Sequence, residues 1–428
     1  MSTALAALQA LPPPAALGKA ALPEAGRRPP PFNAHVHLPP NFSAFGSVEQ
    51  AVELARAQGL ALLGTSNYYD FAVYGGFADR CRSAGVFPLF GVELLCRDEE
   101  LARQGVKVND PGNPGKVYLC GKGLGRFEPL TPAAVAILAG IRARDAARIA
   151  EMVGRCARAL AERGCPVDLG ADAIVDGLVR RHGSPRATVV LQERHVARAI
   201  QEALFAAIPP GERLDRLPRL LGGPAKLKGP DDAVGLQNEV RNHLMKVGKP
   251  GFVPETYLDL PEARALVLEL GGIPCYPVLA DGASPLGQFE ATAAELVGNL
   301  GRLGIHAAEL IPNRNAPAVL SDYVKTLRRS GIVVTAGTEH NTLELLPMMP
   351  SARGAPIPEE LLPIFWEGAC VAAAHQYLTA RGEPGFVGRD GAPHPAYPDA
   401  ERRIAAFAAL GEAVIAAFAP PTSTPERT

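Results

Sequence analysis

The sequence predicts an α/β barrel interrupted by a helical insertion, and three observations carry that prediction. After about residue 31, short apolar runs alternate with amphipathic stretches in the rhythm of βα units. That rhythm fades between Thr131 and about Arg219, where alanine-rich helical patterns such as Arg144 to Glu162 and His195 to Ala207 take over. It resumes after the KVGKPGFVP stretch that ends at Pro254.

The elements follow in order. Residues 1–31 carry PPP at both Pro12 to Pro14 and Pro29 to Pro31 and read as a flexible leader or a strap over the surface. In SVEQAVELARAQ, Val48, Ala51, Val52, Leu54 and Ala55 recur at helical spacing, with Ser47 as N-cap and Gly59 as the stop. Leu60 to Leu63, Val86 to Phe90 and Val117 to Cys120 read as strands of a parallel sheet or barrel, closing a first barrel part over 32–130. The helical insertion covers 131–250. The second barrel part, 251–385, has helices at Pro261 to Leu270 and Ala291 to Leu303 and strands at Gly271 to Pro277, Ala307 to Ile311 and Ile332 to Ala336. One more amphipathic helix, Pro398 to Ala419, and a disordered PPTSTPERT tail fill 386–428.

Composition narrows the function classes. Lys and Arg total 43 against 44 Asp and Glu in 428 residues, so there is no global basic field to hold a long nucleic acid, and any anion recognition must be local. No run of about 18 residues stays apolar, so a membrane span is not expected. The first residues lack the basic start of a secretory signal. Seven scattered cysteines without a CxxC pair point to a reduced, cytoplasmic setting.

The chemistry concentrates in a few places. In FNAHVHLPP, His35 and His37 are two residues apart in a short strand, so both rings point to one face and reach one ion. Glu93 in FGVELLC and Glu339 in VVTAGTEHNT each end an apolar run, and side chains at the C-terminal ends of barrel strands converge on one mouth. Two imidazoles and two carboxylates suit one divalent transition metal, Zn, Mn or Fe. The plainer reading is a pair of core histidines and two loop-capping glutamates. The GxGxG run at Gly121 to Gly125 lacks the ending of a nucleotide loop and reads as a turn. Cys96, three residues after Glu93, is the cysteine nearest the expected mouth, and His182, His243, His306, His375 and His394 read as surface or structural.

These segments together resemble the polymerase-and-histidinol-phosphatase (PHP) family. HVH at His35 to His37, TSN at Thr65 to Asn67, GVE at Gly91 to Glu93 and YLCGKG at Tyr118 to Gly123 follow the family's order. RHVARAI at Arg194 to Ile200, GKPGFVP at Gly248 to Pro254, GGIPCYP at Gly271 to Pro277 and GTEHN at Gly337 to Asn341 continue it. The resemblance spans roughly Phe32 to Leu345, insertion included. It implies a distorted TIM-like (β/α)7 barrel and a metal-dependent phosphoesterase acting on a small phosphorylated metabolite or nucleotide.

The family's metal ligands are only partly kept. Where the family has Asp or His, this chain has Phe42, Asn67, Tyr118, Tyr276, Glu339 and Asn341. His35, His37, Glu93 and Glu339 correspond to one metal position of the family cluster, which implies a reduced, single-metal site. The resemblance further places His195 and Arg194 at the insertion's edge, as proton donor and anion ligand, and leaves Glu339 or His340 to relay a proton. Asn67, Tyr118, Tyr276, Lys249 and Arg314 complete the expected substrate-binding set. The competing readings are a binding or regulatory protein that kept the barrel and lost catalysis, and a mononuclear lyase or isomerase acting on a carbohydrate acid.

Overall fold

Alternating apolar segments with glycine or helix between them build one strand each: β1 (Phe32–Val36), β2 (Leu62–Thr65), β3 (Phe87–Arg97), β4 (Lys116–Lys122), β5 (Leu258–Asp259), β6 (Ile273–Val278), β7 (Ala307–Leu310) and β8 (Val333–Ala336). In the computed structural model, which describes residues 4–17, 28–284 and 286–418, seven of these run round the sheet in the order β1-β2-β3-β4-β6-β7-β8. The two-residue β5 pairs with the far end of β3. A parallel bridge from Val36 to Glu339 brings the end of β8 back to β1 and nearly closes the barrel. The mixed α/β, TIM-like architecture expected from the sequence is therefore present.

The sheet is not uniformly parallel, which corrects the βα reading. β4 runs antiparallel to both β3 and β6. The cause is the connection after β3: it holds only a five-residue helix, Glu99–Arg103, too short to carry the chain back for a parallel strand. β3 and β4 therefore form an antiparallel pair, and the long crossover to β6 contains the helical insertion.

Helix starts follow ordinary chemistry. Ser47 accepts a hydrogen bond from Gln50 N at the head of Val48–Ala57. Thr131 caps the 31-residue helix Pro132–Glu162, with Pro at its first position. That helix belongs to two cores. Ala134, Leu138 and Ile141 pack in the barrel's core, while Ile149, Met152 and Val153 pack in a second one that ends at Val253. Its rigid length bolts the helical layer to the barrel.

The stretch after Asn341 shows little helical periodicity, yet Leu362–Ala380 is a helix buried on nearly every side, packed between β8 and the last helix, Ala400–Phe418. A helix covered all round carries no polar stripe for periodicity to detect. The glycine run at 121–125 serves this packing. Gly121 belongs to β4, and Gly123, at φ +67, turns the chain where any Cβ would meet Ala372 O at 2.5 Å.

The leader is a strap rather than a free arm over residues 4–17. Leu5 and Leu8 are buried, Ala4 N donates to Glu128, and Arg381 and the Tyr377 hydroxyl donate to the carbonyls of Gln9 and Pro12. Residues 18–27 of the leader and the PPTSTPERT tail lie outside the described residues. No helix among the described residues is long and apolar enough to cross a membrane. All seven cysteines are buried and free.

His375 sits inside the long buried helix and is held neutral by geometry. Its Nδ1 accepts from Phe386 N at 2.9 Å, and its Nε2 donates to Gly271 O at 3.0 Å. Burial drives its pKa down to about 3. Because the folded value lies below the unfolded one, this stability is complete above pH 6.5 and is lost as pH falls towards 3, at about 1.4 kcal/mol per pH unit. His375→Gln, which keeps a donor and an acceptor without the proton, is expected to flatten the pH dependence of urea unfolding by that slope between pH 6 and 4. Equal slopes in variant and wild type would show that His375 is protonated in the fold.

Candidate metal centre

β1 alternates inward and outward, so Asn33, His35 and the next residue of that set, His37, share the barrel interior. The two imidazoles lie side by side, Nε2 to Nε2 at 3.5 Å. Glu93, from the middle of β3, brings Oε2 to 3.4 Å from His35 Nε2 and 3.3 Å from His37 Nε2. All three side chains are at least nine-tenths buried. Three potential ligand atoms thus converge on one point. Ligands at the corners of a tetrahedron lie about 1.6 bond lengths apart, so bonds of about 2.0–2.1 Å place them about 3.3–3.4 Å from one another. The spacing of these three atoms fits a tetrahedrally bound transition ion.

The rest of the fold aims these atoms. Gly337, just past β8, lies so close to β1 that a Cβ there would sit 2.4 Å from His35 Cβ. Its bareness lets Glu339 N donate to His35 O and Glu339 O accept from His37 N, both at 2.9 Å. The His37 ring lies parallel to Tyr68, centroids 5.4 Å apart, and Tyr68 donates its hydroxyl to Glu93 Oε1 at 2.5 Å. That bond occupies one carboxylate oxygen and leaves Oε2 for the histidines. Burial opposes ionisation of Glu93, but hydrogen bonding to His35 and His37 more than offsets it and holds the carboxyl well below its usual range.

A buried layer under the histidines had no counterpart in the sequence reading. Glu309 Oε1 lies 3.0 Å from His35 Nδ1, and Lys122 Nζ is 2.7 Å from Glu309 Oε2, an ion pair whose angle is poor for a hydrogen bond. Burial disfavours a charge on His35, yet the Glu309 carboxylate raises its pKa to about 9 against the effect of Lys122. The available signal was an acid and a lysine inside otherwise apolar strands, AAEL and YLCGK. Cys120, rather than the expected Cys96, is the thiol nearest the site, with its sulfur and donor atoms of His35 and Glu93 all within 4.8 Å. Burial pushes that thiol well up, so it stays protonated, and the two-histidine set with Glu93 is the better ligand group.

The cluster forms part of the wall of a cavity of about 790 Å³, a size that suits a small molecule. Tyr118, Arg194, Arg314 and Glu339, all expected at the site, also line it, as does Phe42. The other expected residues do not. Glu339 turns its carboxylate to Arg314 and to Asn341 Nδ2, so among the described residues its recorded side-chain partners are these and not the histidine pair. The half-buried Arg314 guanidinium beside it satisfies the charge that the sequence reading assigned to a metal. His340 has both nitrogens engaged, by Thr338 Oγ1 at 2.6 Å and Leu346 O at 3.0 Å, and stacks on Phe45, so it cannot relay a proton at the mouth.

His195 is buried and accepts from Gln192 N at 3.0 Å, in a reciprocal cap at the head of Glu193–Ala207. Burial lowers its pKa to about 3, and it packs edge-on against Phe42. Asn67 spends its amide on the Leu38 backbone, accepting at 2.8 Å and donating at 2.9 Å. Tyr276 is fully buried against Phe289, and Lys249 is in an exposed turn away from the cavity. Each lies near a matching motif in sequence, but the side chains of His195, Asn67 and Tyr276 are taken up by local structure and that of Lys249 faces solvent.

The insertion supplies the opposite wall of the cavity, with Arg148, Glu193, Arg194, Arg241 and Lys246. Glu193 is the carboxylate these cations share: Arg148 lies at 3.4 Å, Arg241 at 3.6 Å and Lys246 at 3.8 Å. Arg194 has no hydrogen bond or ion pair among the described residues. Burial, reinforced by the charge of Arg241, lowers its pKa to about 10. An unpaired guanidinium in a cavity wall is a site for an anion.

No family model and no curated protein matches this chain. Among solved structures, it aligns with a protein from Bifidobacterium adolescentis named provisionally as a metal-dependent phosphoesterase, at TM-score 0.53 and 16% identity, over 80% of this chain and 98% of that one. It also aligns with an amidohydrolase from Chromobacterium violaceum, solved with sulfate and no metal, at TM-score 0.48 and 17% identity, over 74% of this chain and 93% of that one. The first likeness shows the shared fold.

Proposed function

We propose that this chain is a single-metal hydrolase of the PHP type that cleaves a phosphoester of a small, anionic molecule. The observation that carries the reading is the convergence of His35, His37 and Glu93 at tetrahedral-edge spacing inside a cavity. The fold shared with a protein named as a metal-dependent phosphoesterase supports it, as does the unpaired Arg194 across the cavity.

A divalent ion held by His35, His37 and Glu93 would supply Lewis acidity for the scissile phosphoryl group and for water. The remaining work falls to the chain. Tyr68 fixes Glu93, and Arg194, with Arg241 and Lys246 behind it, holds an anionic group of the substrate and orients it. Glu339, in the cavity wall and paired with Arg314, would take the proton of the attacking water. Phe42 and Tyr118 offer ring faces to the substrate's non-ionic part. Residues 131–250 act as the substrate-binding wall. The seven buried free thiols suit a reducing, cytoplasmic setting.

The test is a metal titration of chelator-treated protein with Zn, Mn and Fe(II), read by elemental analysis and by hydrolysis of simple phosphomonoesters. One equivalent bound, with hydrolysis restored by at least one metal, is the expected result. A protein that retains no metal and hydrolyses nothing, yet is stabilised against heat by small anions alone, would be a binding protein on a hydrolase barrel instead.

A further inference from the structure

The strongest feature left unused by that reading is the charged pair beneath the histidines. Lys122 and Glu309 are both almost fully buried, at 2% and 0% exposure, in the interior of a barrel where an ion pair is costly to desolvate. The pair is also tied to fixed points. Lys122 Nζ donates to Ala34 O at 3.1 Å and Ser66 Oγ at 3.0 Å, so strands β1, β4 and β7 and the end of β2 meet at this ammonium.

A carboxylate paired with an ammonium accepts hydrogen bonds and has none to donate. At 3.0 Å from Glu309 Oε1, nearer than Lys122 Nζ at 3.4 Å, His35 Nδ1 therefore keeps its proton, and Nε2, facing Glu93 and His37, is the nitrogen left to give up its proton to a cation. We infer that Glu309, held by Lys122, is a positioning residue that sets the His35 tautomer and ring angle and so prepares Nε2 for a cation. This rests on the single-metal reading of the His35, His37 and Glu93 cluster. Outer partners of this kind raise ligand basicity, and their loss costs about 10–100-fold in metal affinity.

Glu309→Gln alone would leave Lys122 buried without its counter-charge, so the decisive variant is the double one, Glu309→Gln with Lys122→Met, which removes both charges together. Two readouts are needed. In the metal-free, 15N-labelled wild type, a downfield and slowly exchanging proton on His35 Nδ1 is expected, and the double variant should lose it. Zinc affinity, measured by chelator competition, should fall about 10–100-fold in the double variant while circular dichroism stays native. A wild type without the protected Nδ1 proton overturns the inference, as does a folded double variant that binds zinc as tightly as the wild type. If the wild type shows that proton but binds no zinc, the tautomer assignment stands and the single-metal reading fails.

Discussion

His37→Ala is expected to abolish stoichiometric metal binding and to lower kcat/KM by about 10³-fold, because loss of the ion removes several kcal/mol of transition-state charge stabilisation. His37 is the cleaner target of the two histidines. Its Nδ1 has no hydrogen-bond partner, and its ring contacts are the stack with Tyr68 and the edge of His35. Truncation there takes one partner from Glu93 but leaves it Tyr68 and His35, whereas loss of His35 would strip both Glu93 and Glu309 of a partner. The variant should therefore stay folded, which separates a metal effect from a folding effect. Elemental analysis beside steady-state kinetics and a thermal melt reads all three quantities. A folded His37→Ala protein that keeps its metal and its turnover would remove the proposed centre.

Arg194→Ala is expected to reduce kcat/KM by about 10–100-fold towards a phosphorylated substrate, the size of one charge-assisted hydrogen bond of about 1.5–3 kcal/mol. Thermal stability should not fall with it. In the free protein this guanidinium sits partly buried, beside Arg241 and without a carboxylate of its own, so it is kept at a cost that folding alone does not justify. Arg194→Lys should restore part of the loss, since an ammonium keeps the charge but not the two-pronged geometry. Wild-type affinity for substrate should weaken with salt more steeply than that of Arg194→Ala. Unchanged kcat/KM in Arg194→Ala, or a clear drop in its melting temperature, would reassign the residue to structure.

Much of the barrel was legible because its signals are local. Ser47 as N-cap, the apolar runs that became β2, β3, β4, β6, β7 and β8, and the pairing of His35 with His37 on one strand face all depend on neighbours within a few residues. That His35, His37 and Glu93 could meet was legible for the same reason. Period-2 geometry puts two histidines together, and strand ends in a barrel converge.

The misplacements share one cause. Glu339, His340, His195, Asn67 and Tyr276 are polar side chains near expected motif positions, and what each does depends on whichever partner the fold brings close. Arg314 takes the carboxylate of Glu339, Thr338 and the Leu346 carbonyl take the ring of His340, and the Leu38 backbone takes Asn67. Motif position specifies a residue's place along a strand, but it does not specify the direction of a long side chain with competing partners.

From the chain alone one could read an α/β barrel with a helical insertion and two histidines aimed at one point, because periodicity and spacing act over a few residues. Tertiary structure alone decided that β4 runs antiparallel, that Glu339 turns to Arg314 and away from the histidines, and that Glu309 and Lys122 lie beneath His35. Those outcomes depend on contacts between residues up to some 300 positions apart, such as Asn33 with Thr338 across the closing strands, whose energies no local pattern encodes.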